Sequence, residues 1–217
     1  MGQAHPMVDM RVMELLCSRL CHDLISPVMA VNNGVELLDE DGGKVSEEIR
    51  DLLATSAASA ASRLQFFRLA YGMGGQDATP VGMAEAGRLV RGIAHNGKVK
   101  IKWPADHDGS GKELPKEAAR LLLKLVELGL EALPRGGALG VEVANGRTIE
   151  LRVTATGNGA GLDEDRMKAL NGSADVSALT ARSVPAYIAA RAAERIGGRL
   201  ETTPGSNTLT LKAIIPA

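Results

Sequence analysis

His22 stands beside Asp23 in the stretch LCHDLISPV, residues 20–28, and Pro27 follows five positions after the histidine. A neutral imidazole is a good nucleophile toward phosphorus when its second nitrogen donates to an acceptor that fixes the tautomer. Asp23 is the nearest candidate acceptor, directly or through a shared partner, and its carboxylate favours the cationic ring that phosphorylation creates. Pro27 has no N–H, so the carbonyl of Asp23 loses its helical partner and a bend is expected there. Taken singly, each residue is ordinary: surface histidines and aspartates are usually just solvated, and a proline can mark a helix end. Their joint spacing is what points to chemistry.

The helix that must position this pair is written in the apolar pattern. From about Val8 to Leu38, apolar residues recur at Met13, Leu16, Leu20, Leu24, Pro27, Val31, Val35 and Leu38, at spacings of three and four. At about 100° per residue, His22 lies roughly 170° from the centre of that stripe, so it faces out. Arg11, Ser18, Ser26, Met29, Asn33 and Glu36 share its face, with Leu15 and Ile25 close by. An apolar patch around an exposed titratable group suggests a docking surface. Cys17 and Cys21 lie one turn apart without the spacing of a metal or redox motif, and are expected as small half-buried residues.

The glycines of EDGGK, residues 40–44, break this helix, and Ser46 with Glu47 and Glu48 starts a second, striped at Ile49, Leu53, Ala57, Ala60, Leu64 and Phe67. The two helices should pack antiparallel. Such a hairpin buries one face of each helix, so it needs either a second copy, giving a four-helix bundle, or its own C-terminal domain. The small residues of ATSAASAAS permit close approach in either case.

YGMGGQDATP, residues 71–80, reads as a linker. Residues 1–75 carry 6 Lys and Arg against 10 Asp and Glu, and the remainder 19 against 16, a shift expected at a domain boundary. We therefore divide the chain into a hairpin, 1–75, and a second domain, 76–217. The latter predicts helices at about 81–95, 115–132 and 179–196, strands at VKIKW, 138–144, 149–155, 199–203 and 207–214, and a short helix in GLDEDRMKAL. Asn-Gly and Pro-Gly turns between consecutive strands imply antiparallel hairpins. The fold class is α+β: a helical hairpin, then a mixed sheet covered by helices.

A net charge of −1 and 2% aromatic residues argue against a nucleic-acid binder. No apolar run spans a bilayer, and the start lacks the regions of a signal peptide, so a cytoplasmic protein without membrane association is expected. Gly2 suggests myristoylation, but Pro6 stands where that motif wants Ser or Thr.

CHDLISPV resembles the H-box of sensor histidine kinases, in which a histidine, an acidic residue, Leu, two variable residues, Pro and an aliphatic residue follow one another. His22, Asp23, Leu24, Pro27 and Val28 fill those places. The C-terminal part resembles the ATP-binding (Bergerat) domain of the same kinases. LLLKLVELGLEALPRGG is similar to its N-box helix, VTATGNGAGL to its first glycine box, SVPAYIAARAAERIGGRL to its second and TLTLKAIIP to its closing strand. The residues that serve ATP there are replaced here: Lys124 and Leu128 stand at the N-box asparagines, Gly157 at the adenine-reading aspartate, and Ser183 and Pro185 at glycines of the second box.

A kinase-shaped chain without those residues resembles the ChpT family of bacterial histidine phosphotransferases, a likeness carried by LCHDLISPVMAVNNGVELL and ALPRGG. The resemblance implies a homodimer whose His22 accepts phosphate from the receiver domain of a CckA-like hybrid kinase. It would then pass the group to CtrA-like and CpdR-like response regulators of a cell-cycle phosphorelay. Asp23 would orient His22, and Leu15, Arg19, Ile25 and Met29 would dock the receiver. Ser26 sits where many sensor kinases place a polar residue that helps hydrolyse the receiver's phosphate. No cofactor or metal is expected on this chain; Mg2+ would come with the receiver. The alternatives are an active sensor-type histidine kinase, which must bind nucleotide, and a non-catalytic receiver-binding adaptor.

Overall fold

The computed structural model describes residues 9–40, 45–72, 79–94, 97–104 and 113–217. The Gly2 and Pro6 positions, most of the 40–44 turn and the 75/76 boundary lie outside them.

Two long helices open the chain, α1 (Met10–Glu40) and α2 (Glu47–Ala70). Pro27 lies inside α1, which stays α-helical through it. Ser46 caps α2 by accepting from the Ile49 N–H at 3.2 Å, with Glu47 and Glu48 in the first turn. The helices approach closely at Gly34, where a Cβ would come within 2.7 Å of Leu53 Cδ2. A larger residue there would force the Leu53 side chain to shift.

The remainder is a two-layer α/β sandwich. Strands β2 (Val99–Lys102), β4 (Gly137–Asn145), β5 (Thr148–Thr156), β6 (Arg199–Gly205) and β7 (Thr208–Pro216) form one sheet in the order β2-β4-β5-β7-β6. Only the β2–β4 pair is parallel; the others are antiparallel. The period of two is visible in burial. Ile149, Leu151, Val153 and Ala155 of β5 and Leu209, Leu211, Ala213 and Ile215 of β7 are buried, while Glu150, Arg152 and Lys212 occupy the other face.

Helices α3 (Met83–Ile93), α4 (Lys116–Glu131), α5 (Glu164–Leu170) and α6 (Val184–Arg195) cover the sheet, with a 3-10 turn at Val176–Ala178. A two-residue ribbon pairs β1 (Val81–Gly82) with β3 (Glu113–Leu114), too short to leave a periodic signal in sequence. Buried Trp103 donates from Nε1 to the Met83 carbonyl at 2.7 Å, pinning the start of α3.

One hydrophobic core joins hairpin and sandwich. Phe66, Phe67 and Ala70 at the end of α2 share it with Leu121, Leu125 and Leu128 of α4. The base of the hairpin thus packs on its own C-terminal domain. Its far flank does not: Met13 and Val35 of the expected stripe are exposed, as are Val28, Leu52 and Leu64. Every exposed large apolar side chain among the described residues lies between Met10 and Leu64, in the hairpin and its connection. Cys17 and Cys21 are also exposed rather than half-buried, because their face of α1 meets neither α2 nor the sandwich.

Candidate phosphoacceptor site

His22 projects from the middle of α1 with 82% of its side chain exposed. Its Nδ1 lies 3.2 Å from Asp23 Oδ1. A carboxylate can only accept, so this contact requires the proton on Nδ1 and leaves the Nε2 lone pair facing solvent. Asp23 itself is largely buried and its other oxygen, Oδ2, accepts from Arg19 Nε at 2.9 Å. Arg19 reaches on to α4, donating from Nη2 to Glu131 Oε1 at 2.6 Å. Burial works against the Arg19 charge, but Glu131 and Asp23 outweigh it and hold its pKa above the ordinary value.

The expected docking residues separate into two kinds. Ile25 and Met29 are 59% and 50% exposed and flank His22. Leu15 packs in part against the core, and Arg19 is committed to Asp23 and Glu131, so neither is presented to a partner as a free side chain. Arg11, expected on the open face, donates to the Val176 and Leu179 carbonyls at 3.2 and 3.0 Å and ties α1 to the 3-10 turn. Ser26 is exposed one turn beyond His22. Behind the pair, Arg19, Asp23, Phe67, Glu127, Glu131 and Gly136 line a cleft of about 440 Å³ between hairpin and sandwich.

The positions compared with an ATP site have other occupations. Lys124 is buried, and its Nζ donates to the Ala70 carbonyl at the end of α2 and to the Arg120 carbonyl at 3.3 Å. Burial lowers its pKa to about 7. Leu128 lies wholly in the core. Gly157 donates to the Asn207 carbonyl at 3.0 Å, and a Cβ there would collide with the carbonyl oxygen of Gly136. Ser183 is buried, its Oγ accepting from the Thr180 N–H at 3.0 Å, and Pro185 stands in the first turn of α6.

The sequence reading missed two sheltered acids, Glu127 buried and Glu131 15% exposed. Glu127 and Glu131 sit one turn apart on α4, toward the hairpin. Their spacing in VELGLE, inside an otherwise apolar helix, was the available signal. Glu127 accepts from the Tyr71 hydroxyl at 2.5 Å, and burial raises its pKa to about 7. Among the described residues no cluster of His, Cys, Asp or Glu is arranged to hold a metal ion, and no helix is long and apolar enough to cross a membrane.

The profile of the family described as histidine phosphotransferase C-terminal domain matches residues 83–208. Protein phosphotransferase ChpT of Brucella abortus (strain 2308) is 35% identical over 187 residues, which span 86% of this chain and 87% of that protein. The chain belongs to the ChpT family of histidine phosphotransferases. A bacterial phosphotransferase solved at 1.7 Å aligns with the chain at a TM-score of 0.78 and 28% identity, covering 98% of this chain and 100% of the other. The likeness to known phosphotransferases therefore runs through hairpin and sandwich alike.

Proposed function

We propose that the chain is the histidine phosphotransferase of a bacterial phosphorelay, with His22 as its phosphoacceptor. The observation that carries this reading is the exposed imidazole whose Nδ1 is held by the half-buried Asp23, with Nε2 free. In the proposed step, the Nε2 lone pair attacks the aspartyl phosphate of a docked receiver in line. An N–P bond forms as the P–O bond breaks, and the receiver carboxylate leaves with the electron pair. The Nδ1 proton stays on the ring, where Asp23 stabilises its positive charge. A second receiver's aspartate then attacks phosphorus, and the N–P electrons return to Nε2. Mg2+ bound by the receiver's acidic pocket would neutralise the phosphoryl oxygens.

Ile25 and Met29 supply the apolar docking surface beside His22, and Ser26 reaches the same space for phosphate hydrolysis. Receivers of the CckA-like, CtrA-like and CpdR-like kinds are the proposed partners, met in the cytoplasm. A homodimer completes the hairpin: on α1, exposed Met13, Val28 and Val35 lie roughly 120–180° around the helix from His22. A second copy can cover that flank while leaving both histidines open.

The phosphate is proposed to come from another protein rather than from ATP. Lys124 is turned to the end of α2, Leu128 is core and Gly157 has no room for a side chain. Incubation with labelled Mg-ATP alone tests this point. No label on the chain is expected, whereas labelled His22 would establish the kinase reading instead.

A further inference from the structure

The Asp23 carboxylate has two oxygens and two suitors. An arginine can take both oxygens of a carboxylate side-on through Nε and Nη2, a strong geometry that would strip His22 of its acceptor. Here Arg19 offers only Nε to Asp23 Oδ2, at 2.9 Å, because its Nη2 is held by Glu131 Oε1 at 2.6 Å. Oδ1 is thereby left for His22 Nδ1 at 3.2 Å.

Glu131 is fixed in turn. Its Oε2 accepts from Arg166 Nη1 at 3.0 Å. Arg166 is gripped by Asp163, the N-cap of α5, at 3.1 Å to Nε and 3.0 Å to Nη2. Asp23, Arg19, Glu131, Arg166 and Asp163 alternate in sign from the hairpin through α4 to α5, and the first four side chains are 11–20% exposed. Pairs this sheltered are screened far less than surface ones.

We infer that Glu131 is a positioning residue for phosphotransfer: by occupying Arg19 Nη2 it keeps Asp23 Oδ1 on His22 and so keeps the Nε2 lone pair available. The C-terminal domain then serves the reaction by holding the hairpin's His-Asp pair in register. This inference rests on the proposed role of His22.

The test compares the full-length chain with its Glu131→Gln and Arg166→Gln variants. The His22 ring nitrogens are read by 15N NMR shifts, and the initial rate of transfer from a phosphorylated receiver is measured beside melting curves. Glu131→Gln is expected to fold and to replace the single Nδ1–H signature with a tautomer mixture, with transfer about tenfold slower. Arg166→Gln, one link further away, should shift the same nitrogens less. Unchanged nitrogen shifts in both variants would overturn the inference, and so would slower transfer with unchanged shifts, because the loss would then lie in docking. If the wild type accepts no phosphate at all, the proposed function fails, while the nitrogen shifts still decide what Glu131 does.

Discussion

Tyr71 donates its phenolic hydrogen to Glu127 Oε2 at 2.5 Å, joining the residue that ends α2 to the buried face of α4. Burial raises the Glu127 pKa to about 7, from 4.5 in an open chain. Its favourable contribution is therefore complete below about pH 4.5 and is lost as pH rises toward 7, where the folded carboxyl must give up its proton in a dry site. The loss amounts to roughly 3 kcal/mol at most. Glu127→Gln keeps the shape without the titration. Urea unfolding at pH 5 and pH 8 should show the variant gaining on the wild type as pH rises, and parallel stabilities would refute this origin.

Restoring the kinase-like aspartate should harm the fold without creating a nucleotide site. Gly157 packs against Gly136 and Gly137, and any Cβ strikes the Gly136 carbonyl oxygen. Gly157→Asp should cost about 2–4 kcal/mol in chemical denaturation, and calorimetric titration with Mg-ATP should stay flat. A variant of undiminished stability that binds ATP would show that this corner can hold a side chain after all.

The exposed apolar flank of the hairpin predicts a dimer. Sedimentation should give twice the chain mass of 22.7 kDa. Val28→Glu with Val35→Glu, one helical face seven residues apart, should return the monomer while far-UV circular dichroism keeps its helical signal. A monomeric wild type would leave the flank to some other partner.

How much of this was legible beforehand follows from the range of each interaction. The orientation of His22 and its contact with Asp23 are local, set by helical periodicity and adjacency, and the period of two located the principal strands. The ladder behind them is not local. Arg19 meets Glu131 112 residues away, and Tyr71 meets Glu127 across 56. Those pairs exist only once α2 docks on α4 through Phe66, Phe67 and the leucines of the shared core. Arg19, expected at the receiver interface, is for this reason turned inward. Contact of α1 with the 3-10 turn engages Arg11, and partial packing on the core takes Leu15 from the open face, while the exposed cysteines show that helical phase alone does not say which flank a second element covers.

The most direct measurement is phosphoryl transfer from a purified, phosphorylated receiver domain to the wild-type chain and to His22→Ala, without ATP. The wild type should acquire an acid-labile, alkali-stable phosphate on His22, and His22→Ala should acquire none while keeping the same fold by circular dichroism. Equal labelling of both chains, or no labelling of either across several receivers, would contradict the assignment of His22 as the phosphoacceptor.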